Sequence, residues 1–218
     1  MRRYTINKNH PLVLASVSPR RRAILEQIRI PFEPAGNMIE EAHSKKIQPA
    51  DITCQKAAQK VEAIKHAYKN RWILGADTIV VIGKTIFGKP HDSGECKKML
   101  SCLKGKTHTV ITGFCIYHSE RKAAHLEAVI TKVKVKKLSD TEIEAYIKTG
   151  EPFGKAGGYA IQGIGSFMIE RISGSYTNVV GLPVFEVVNA LVMCGGLKCF
   201  PLNCSPCFNK TSTPSILD

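Results

Sequence analysis

Residues 150–183 place the tightest constraint on what this chain can form. Seven glycines, at positions 150, 154, 157, 158, 163, 165 and 174, crowd into this stretch, and Gly181 follows. Glycine at that density lets the backbone adopt positive φ or approach a ligand closely. Among the glycines stand Lys155, Tyr159, Gln162 and Asn178, whose side chains can donate hydrogen bonds to a polar ligand. A segment of this kind suits the wall of a nucleotide pocket better than a purely structural role.

The rest of the chain alternates in the manner of an α/β protein. A short apolar run at 11–15 predicts a first strand. Pro19 suits the first turn of the helix that follows, with Ser18 as its cap and Ala23, Ile24, Leu25 and Ile28 as its buried face. An extended piece is expected from Phe32, then a long helix over 49–66. Residues 72–76 read as a strand ending at Asp77. Residues 79–82 and 85–87 read as a hairpin around Gly83-Lys84. A helix over 94–102, strands over 107–117 and 129–135 joined by a loose loop, and a helix over 140–148 capped by Asp140 follow. In 131–137 lysines alternate with valines, the period of a strand with one wet face, and lysines there also discourage edge pairing. A terminal helix over 183–193 ends at Gly195-Gly196.

Length and composition narrow the class. The chain has 218 residues, 44% hydrophobic and 22% charged, as expected for one soluble domain of generous size, or one domain with two lobes. No apolar run approaches the roughly 18–20 residues needed to span a bilayer. The basic start is followed by Asn7, Lys8, Asn9 and His10, where a signal peptide needs an apolar core. A cytoplasmic location is therefore expected. The formal net charge of +13 fits a lysine-rich solvated surface or a polyanionic partner. Aromatic residues are 7% and scattered, without the paired platforms of RNA-binding modules, so nucleic acid is not an expected partner. Cys54, Cys96, Cys102 and Cys115 sit among core-like residues and are expected to be buried thiols. Cys194, Cys199, Cys204 and Cys207 cluster near the end. They could hold zinc, but only one closely spaced pair is present, and an unstructured tail over 198–218 is the simpler expectation.

Three clusters could carry chemistry. Ser16, Ser18, Arg20 and Arg21 lie between a strand and a helix start, where hydroxyls, free N–H groups and guanidinium groups favour an anion. The alternative is an ordinary capped basic helix. Asp77 could hold a hard metal or activate a water, and Lys89, between Gly88 and Pro90, could reach a phosphate. A turn cap is the alternative for Asp77. Glu40-Glu41 is a pair of carboxylates that could equally be a solvated loop.

Taken together these motifs resemble the Maf family of nucleoside triphosphate pyrophosphatases, the septum-formation-inhibitor-like proteins. The resemblance starts at Leu12-Val-Leu-Ala-Ser-Val-Ser-Pro-Arg-Arg21 and takes in Gly75-Ala-Asp-Thr-Ile-Val80, Gly88-Lys-Pro90, Leu103-Lys-Gly-Lys-Thr-His-Thr-Val-Ile-Thr-Gly113 and the whole of 150–183. It extends to about Leu197, which sets apart an N-terminal extension over 1–10. It implies an inosine-triphosphatase-like α/β fold: an elongated mixed sheet flanked by helices, with two lobes and a central cleft. It implies metal-dependent cleavage between the α- and β-phosphates, with Mg2+ or Mn2+, and a homodimer. By the same resemblance Ser16, Arg20 and Arg21 stand in the phosphate-binding turn, and Lys60 and Lys89 are phosphate-directed. Asp77 is the catalytic carboxylate, as base or metal ligand. Glu41 is an acidic-loop metal ligand, and Lys155 and Gln162 belong to the substrate segment. Where the family usually has Asp before Lys155, this chain has Gly154, and its acidic loop reads Ile39-Glu-Glu41. The pattern Lys155-Ala-Gly157 with Tyr159-Ala-Ile-Gln-Gly163 resembles the dTTP and UTP branch, with Gln162 placed to pair with a pyrimidine edge. A domain weakened by Gly154, binding a nucleotide or associating with RNA without cleaving, is the competing expectation.

Overall fold

The computed structural model describes residues 5–36, 47–121 and 123–202. Its axis is the strand β3, Ile73–Ile82, whose near-continuous apolar run suits a strand covered on both faces. Antiparallel β5 (Thr107–His118) accompanies β3 along one edge, from Ile73 opposite Tyr117 to Val81 opposite Thr109. The other edge is shared. Parallel β1 (Leu12–Ala15) pairs with Ile73 to Gly75, and antiparallel β4 (Thr85–Phe87) pairs with Val80 to Ile82. Between them, among the described residues, β3 has no strand partner from Ala76 to Ile79. This notch is the architectural basis of the site.

Outward from β1 lies parallel β2 (Phe32–Pro34), and outward from β5 lie antiparallel β6 (Ala123–Val135) and β7 (Ile169–Ser173). The mixed seven-stranded sheet has the order β2-β1-β3-β5-β6-β7, with β4 beside β3. Helix α2 (Pro49–Glu62) lies on one face, over β3 and β5. Its close approach depends on Gly75 and Gly113. A Cβ on Gly75 would stand 2.9 Å from the Val61 side chain, and one on Gly113 would meet the backbone of Thr53 and Cys54.

The opposite face carries two separate groups of helices. At one end α1 (Pro19–Gln27), α5 (Tyr176–Val180) and α6 (Val184–Met193) cover Leu14, Leu74 and Phe114, with Leu25, Val187 and Leu191 buried against them. At the other, α3 (Ser93–Leu103) and α4 (Asp140–Lys148) cover Val80 and Val133, with Leu100, Ile143 and Tyr146 in the core. Each fully buried aliphatic side chain contributes roughly 1.5–3 kcal/mol. The two cores are separate, and the space between them is a cleft floored by the sheet.

Several sequence expectations change. Asp77 is not at a strand end: β3 runs through it, because Thr78 to Ile82 continue to pair with β5. The stretch 79–82 is therefore the second half of β3, although its hairpin with β4 forms as expected. Helix α2 stops at Glu62, four residues early, where Ile64 and Lys65 both turn back onto the Val61 carbonyl. Ser18 is the N-cap of α1 by position, but its hydroxyl makes no capping bond. Ala23 is exposed, and Arg21 takes a buried place on that helix instead. Ser139, not Asp140, caps α4, in a reciprocal capping box with Glu142. The expected loose loop before 129 is mostly strand, since β5 and β6 pair as far as His118 opposite Ala123. The lysine alternation is real, with Thr131, Val133 and Val135 buried. However, β6 is no edge there, because β7 pairs with it. Strand β7 and helix α5, in and after the glycine-rich stretch, were not expected. Of the four isolated cysteines, Cys96 and Cys115 are buried, Cys54 is half-buried and Cys102 is exposed. Leu197 is buried, and Phe200 and Leu202 pack against the same core. Cys204 and Cys207 lie outside the described residues. No helix among the described residues is long and apolar enough to cross a membrane.

Candidate active site

The strand β1 ends at Ala15, and α1 starts four residues later at Pro19, whose fixed φ suits a first helical position. This sharp turn sends two adjacent arginines different ways. Arg21 turns inward and is buried. Its Nε donates to the Gly181 carbonyl at 2.7 Å, Nη1 to Ser16 Oγ at 3.0 Å and Nη2 to Thr78 Oγ1 at 3.0 Å. It thus joins the β1 turn, β3 and the end of α5. Burial lowers its pKa to about 10, with Asp77 opposing, so it stays a cation at neutral pH. Arg20 points to the cleft, where Nη2 donates to the Gly154 carbonyl at 3.1 Å and spans the two lobes. Burial lowers its pKa also.

Asp77 projects from the notch toward α2. Lys60 Nζ donates to Asp77 Oδ1 at 2.5 Å and to the Ala76 carbonyl at 3.0 Å. The second bond satisfies an edge carbonyl that no neighbouring strand reaches. Lys56, one helical turn earlier, stands 4.0 Å from Asp77 Oδ2. Asp77 is only 8% exposed, so its charge is compensated by two lysines rather than by bulk water. Burial lowers the Lys60 pKa, Asp77 resists that, and the positive fields of Arg21 and Lys89 add to the lowering.

Across β3 from this cluster, in the cleft, lies a cavity of about 350 Å³. Thr78, Val80 and Val110 of the sheet line it, together with Arg20, Lys89, Lys155 and Gln162. Lys155 Nζ also donates to the Glu151 carbonyl. Burial and the nearby Arg20 lower its pKa. A mostly apolar cavity of this volume with a few convergent cations is the usual form of a small-ligand site, and these cations suit a polyanionic ligand.

The structure therefore brings Arg20, Lys89, Lys155 and Gln162 to one cavity. It sets Ser16 and Arg21 behind them, linked through Thr78, which lines that cavity. It places Asp77 and Lys60 on the opposite face of β3, at the notch. Glu41 and its neighbour Glu40 lie outside the described residues. Lys56 was passed over in the sequence, although its place four residues before Lys60 on an expected helix puts both on one face. Glu151, also in the cavity wall, carries no local sequence signal, because its carboxylate bonds backbone amides of a wall that folds back onto it. At Gly154, φ is +74° and no atom lies within 4 Å of where a Cβ would stand. Arg20 holds the Gly154 carbonyl at the cleft, and the space beside the Gly154 Cα is open.

As a metal centre the described residues are incomplete. No group of three His, Cys, Asp or Glu that could hold a metal occurs among them. Asp77 offers a hard oxygen donor, but it is already paired with Lys60.

A mixed α/β sheet with a cation-lined cleft between two helical lobes defines a small-molecule-binding α/β protein built for an anionic ligand. The chain belongs to the Maf family: it matches the Maf-like protein family over residues 11–194. It is 50% identical over 190 residues to a protein of Citrifermentans bemidjiense named dTTP/UTP pyrophosphatase, covering 87% of this chain and 98% of that one. Proteins of the same name from Geobacter sulfurreducens and Halalkalibacterium halodurans are 47% and 42% identical, each over 85% of this chain and 97% and 96% of their own.

Proposed function

We propose that this chain is a nucleoside triphosphate pyrophosphatase that hydrolyses dTTP and UTP to the monophosphate and pyrophosphate. The observation that carries the reading is the single cavity shared by Arg20, Lys89, Lys155 and Gln162, in a chain whose relatives bear that name over nearly their whole length. In this reading Arg20, Lys89 and Lys155 hold the triphosphate, with Arg21, Lys56 and Lys60 extending the positive field and Ser16 holding Arg21 in the phosphate-binding turn. A water oxygen attacks the α-phosphorus, the bond from it to the bridging oxygen of the β-phosphate breaks, and pyrophosphate leaves with that oxygen. The notch between β1 and β4 opens the edge of β3, so that phosphates lying across it from the cavity reach Asp77, which takes the proton of the attacking water. Lys60, bonded to the carboxylate, holds it in place. Gln162 presents an amide that can both donate to and accept from a pyrimidine edge.

A divalent metal, Mg2+ or Mn2+, belongs to the same proposal, with Asp77 and Glu41 as its carboxylates. When bound it would neutralise part of the triphosphate charge. A homodimer and a cytoplasmic location are also part of the reading, the first open to light scattering and the second to imaging of the tagged chain. The primary test is pyrophosphate release from a panel of dTTP, UTP, CTP, ATP, GTP and 7-methyl-GTP, with Mg2+, with Mn2+ and with excess chelator. Fast release from dTTP and UTP with metal is expected, and loss of release in chelator. Nucleotide binding without pyrophosphate release would replace the enzyme with a binding module, and full activity in chelator would remove the metal from the proposal.

A further inference from the structure

The cavity wall at 159–165 must be held by something other than sheet pairing. Two side chains hold its backbone amides. Glu151, just beyond α4, accepts the Ile164 N–H on Oε2 at 2.8 Å and the Gly165 N–H on Oε1 at 3.0 Å. The Tyr146 hydroxyl, from within α4, donates to the same Oε1 at 3.1 Å and accepts the Ala160 N–H at 3.1 Å. Residues 160, 164 and 165, on either side of Gln162, therefore hang from one acid–phenol pair. Tyr146 is buried in the α3–α4 core and cannot move independently of it. Gly163 fits closely under the pair, since a Cβ there would stand 2.9 Å from Glu151 Oε2. Burial works to raise the Glu151 carboxyl, but the Gly165 and Ile164 amides, the Tyr146 hydroxyl and the nearby Lys155 charge together leave it below its ordinary value. Burial pushes the Tyr146 phenol up. At neutral pH the acid therefore only accepts and the phenol keeps its proton. The Lys155 bond to the Glu151 carbonyl ties a phosphate-side cation to the same residue.

We propose that Glu151, acting with Tyr146, is the positioning residue for base selection: it holds the 160–165 wall so that Gln162 meets the base at a fixed place. The inference rests on the pyrophosphatase reading and deepens it. Glu151 is assigned no contact with the reacting atoms. Its role is to make the pocket stiff, and a stiff pocket rejects a mismatched base edge because its own polar groups then go unpaired.

The test uses Glu151→Gln and Tyr146→Phe in the full chain. A glutamine has one acceptor oxygen where the carboxylate has two, so its NH2 must face at least one of the donors that Glu151 satisfies. In Glu151→Gln the KM for UTP should rise about tenfold with kcat changed by less than about threefold, and the UTP-over-GTP ratio of kcat/KM should fall about tenfold. By hydrogen exchange, the Ile164 and Gly165 amides should exchange at least about tenfold faster, while β5 amides such as Phe114 keep their rate and report an intact fold. Tyr146→Phe should free the Ala160 amide and shift selectivity in the same direction, and it decides the matter if the first variant does not fold. Faster amide exchange with unchanged selectivity would reduce Glu151 to a structural role and overturn the proposal, as would unchanged exchange. If the wild-type chain releases no pyrophosphate, the pyrophosphatase reading fails by itself. The ratio of Kd for UTP and GTP in wild type and variants then takes the place of kcat/KM and decides the positioning role.

Discussion

Asp77 owes its environment to two lysines spaced one helical turn apart on α2. An anion buried to this degree is tolerated because Lys60 bonds it and Lys56 stands close. Replacing it by the isosteric amide removes the charge without changing the shape. Asp77→Asn is expected to lower kcat by at least about 100-fold, the scale of losing a positioned base. The far-ultraviolet circular dichroism should stay that of the wild type. Near-normal turnover in the variant would remove Asp77 from the reaction. Gln162 makes a different prediction because it is exposed on the cavity wall. In Gln162→Ala, discrimination between UTP and GTP should drop by about one to two decades, the cost of one lost polar contact, and by more than turnover on UTP drops. If kcat/KM for UTP over GTP is the same in wild type and variant, another residue reads the base.

At the scale of elements, α2 is the part on which the site depends most. It carries both lysines, and it reaches the sheet only because β3 and β5 offer glycine beneath it. Both fits are close, and at Gly113 an added Cβ would overlap the backbone of Thr53 and Cys54, which has no rotamer by which to yield. Gly113→Ala is therefore expected to destabilise the fold by roughly 1–3 kcal/mol, the range for overpacking, seen as a lower urea midpoint. It should also impair activity beyond that loss, since lifting α2 draws Lys56 and Lys60 away from Asp77. A variant as stable and active as wild type would show that the helix can shift without cost. The notch in β3 works with α2, because the unpaired Ala76 carbonyl gives Lys60 a second anchor and fixes the direction of its ammonium group.

For the whole molecule, two separate cores on one face of one sheet make the cleft. Arg20 bonding to Gly154 links its walls. Within the far core His108 is 2% exposed, with Nε2 against the Tyr159 hydroxyl at 2.7 Å and Nδ1 buried without a partner among the described residues. Burial lowers its pKa from 6.5 to about 4. The folded state thus binds fewer protons than the unfolded chain between those values, so stability falls as pH drops from 6.5 toward 4. The full loss for a shift of this size is about 3 kcal/mol. His118, also lowered by burial, acts in the same direction. Urea unfolding at pH 7 and pH 4.5 should show His108→Gln losing less stability on acidification than wild type. Parallel losses in the two proteins would place the acid sensitivity elsewhere.

Most of the secondary elements were legible in the sequence, because the periodicity and punctuation that mark them are local. Pro19 announced α1, and Gly83-Lys84 announced the β3–β4 hairpin. The glycine-rich stretch announced a close-approach wall, and Arg20, Lys89, Lys155 and Gln162 were identified from their motifs. What the sequence by itself determined was thus the α/β order of the chain and the residue types available to the site. Tertiary structure decided which of them meet. The runs 72–76 and 79–82 on either side of Asp77 both read as strand, but that they form one strand through Asp77 follows from β5 pairing past it. That Arg21 braces three elements, while its neighbour Arg20 faces the cleft, depends on Gly181 and Gly154 arriving from far along the chain. The hold of Glu151 on Ile164 and Gly165 is likewise invisible until the wall folds back on itself. Pairing between strands and hydrogen bonds across a fold join groups distant in sequence, and only the packed molecule brings them within the 3 Å or so at which they act.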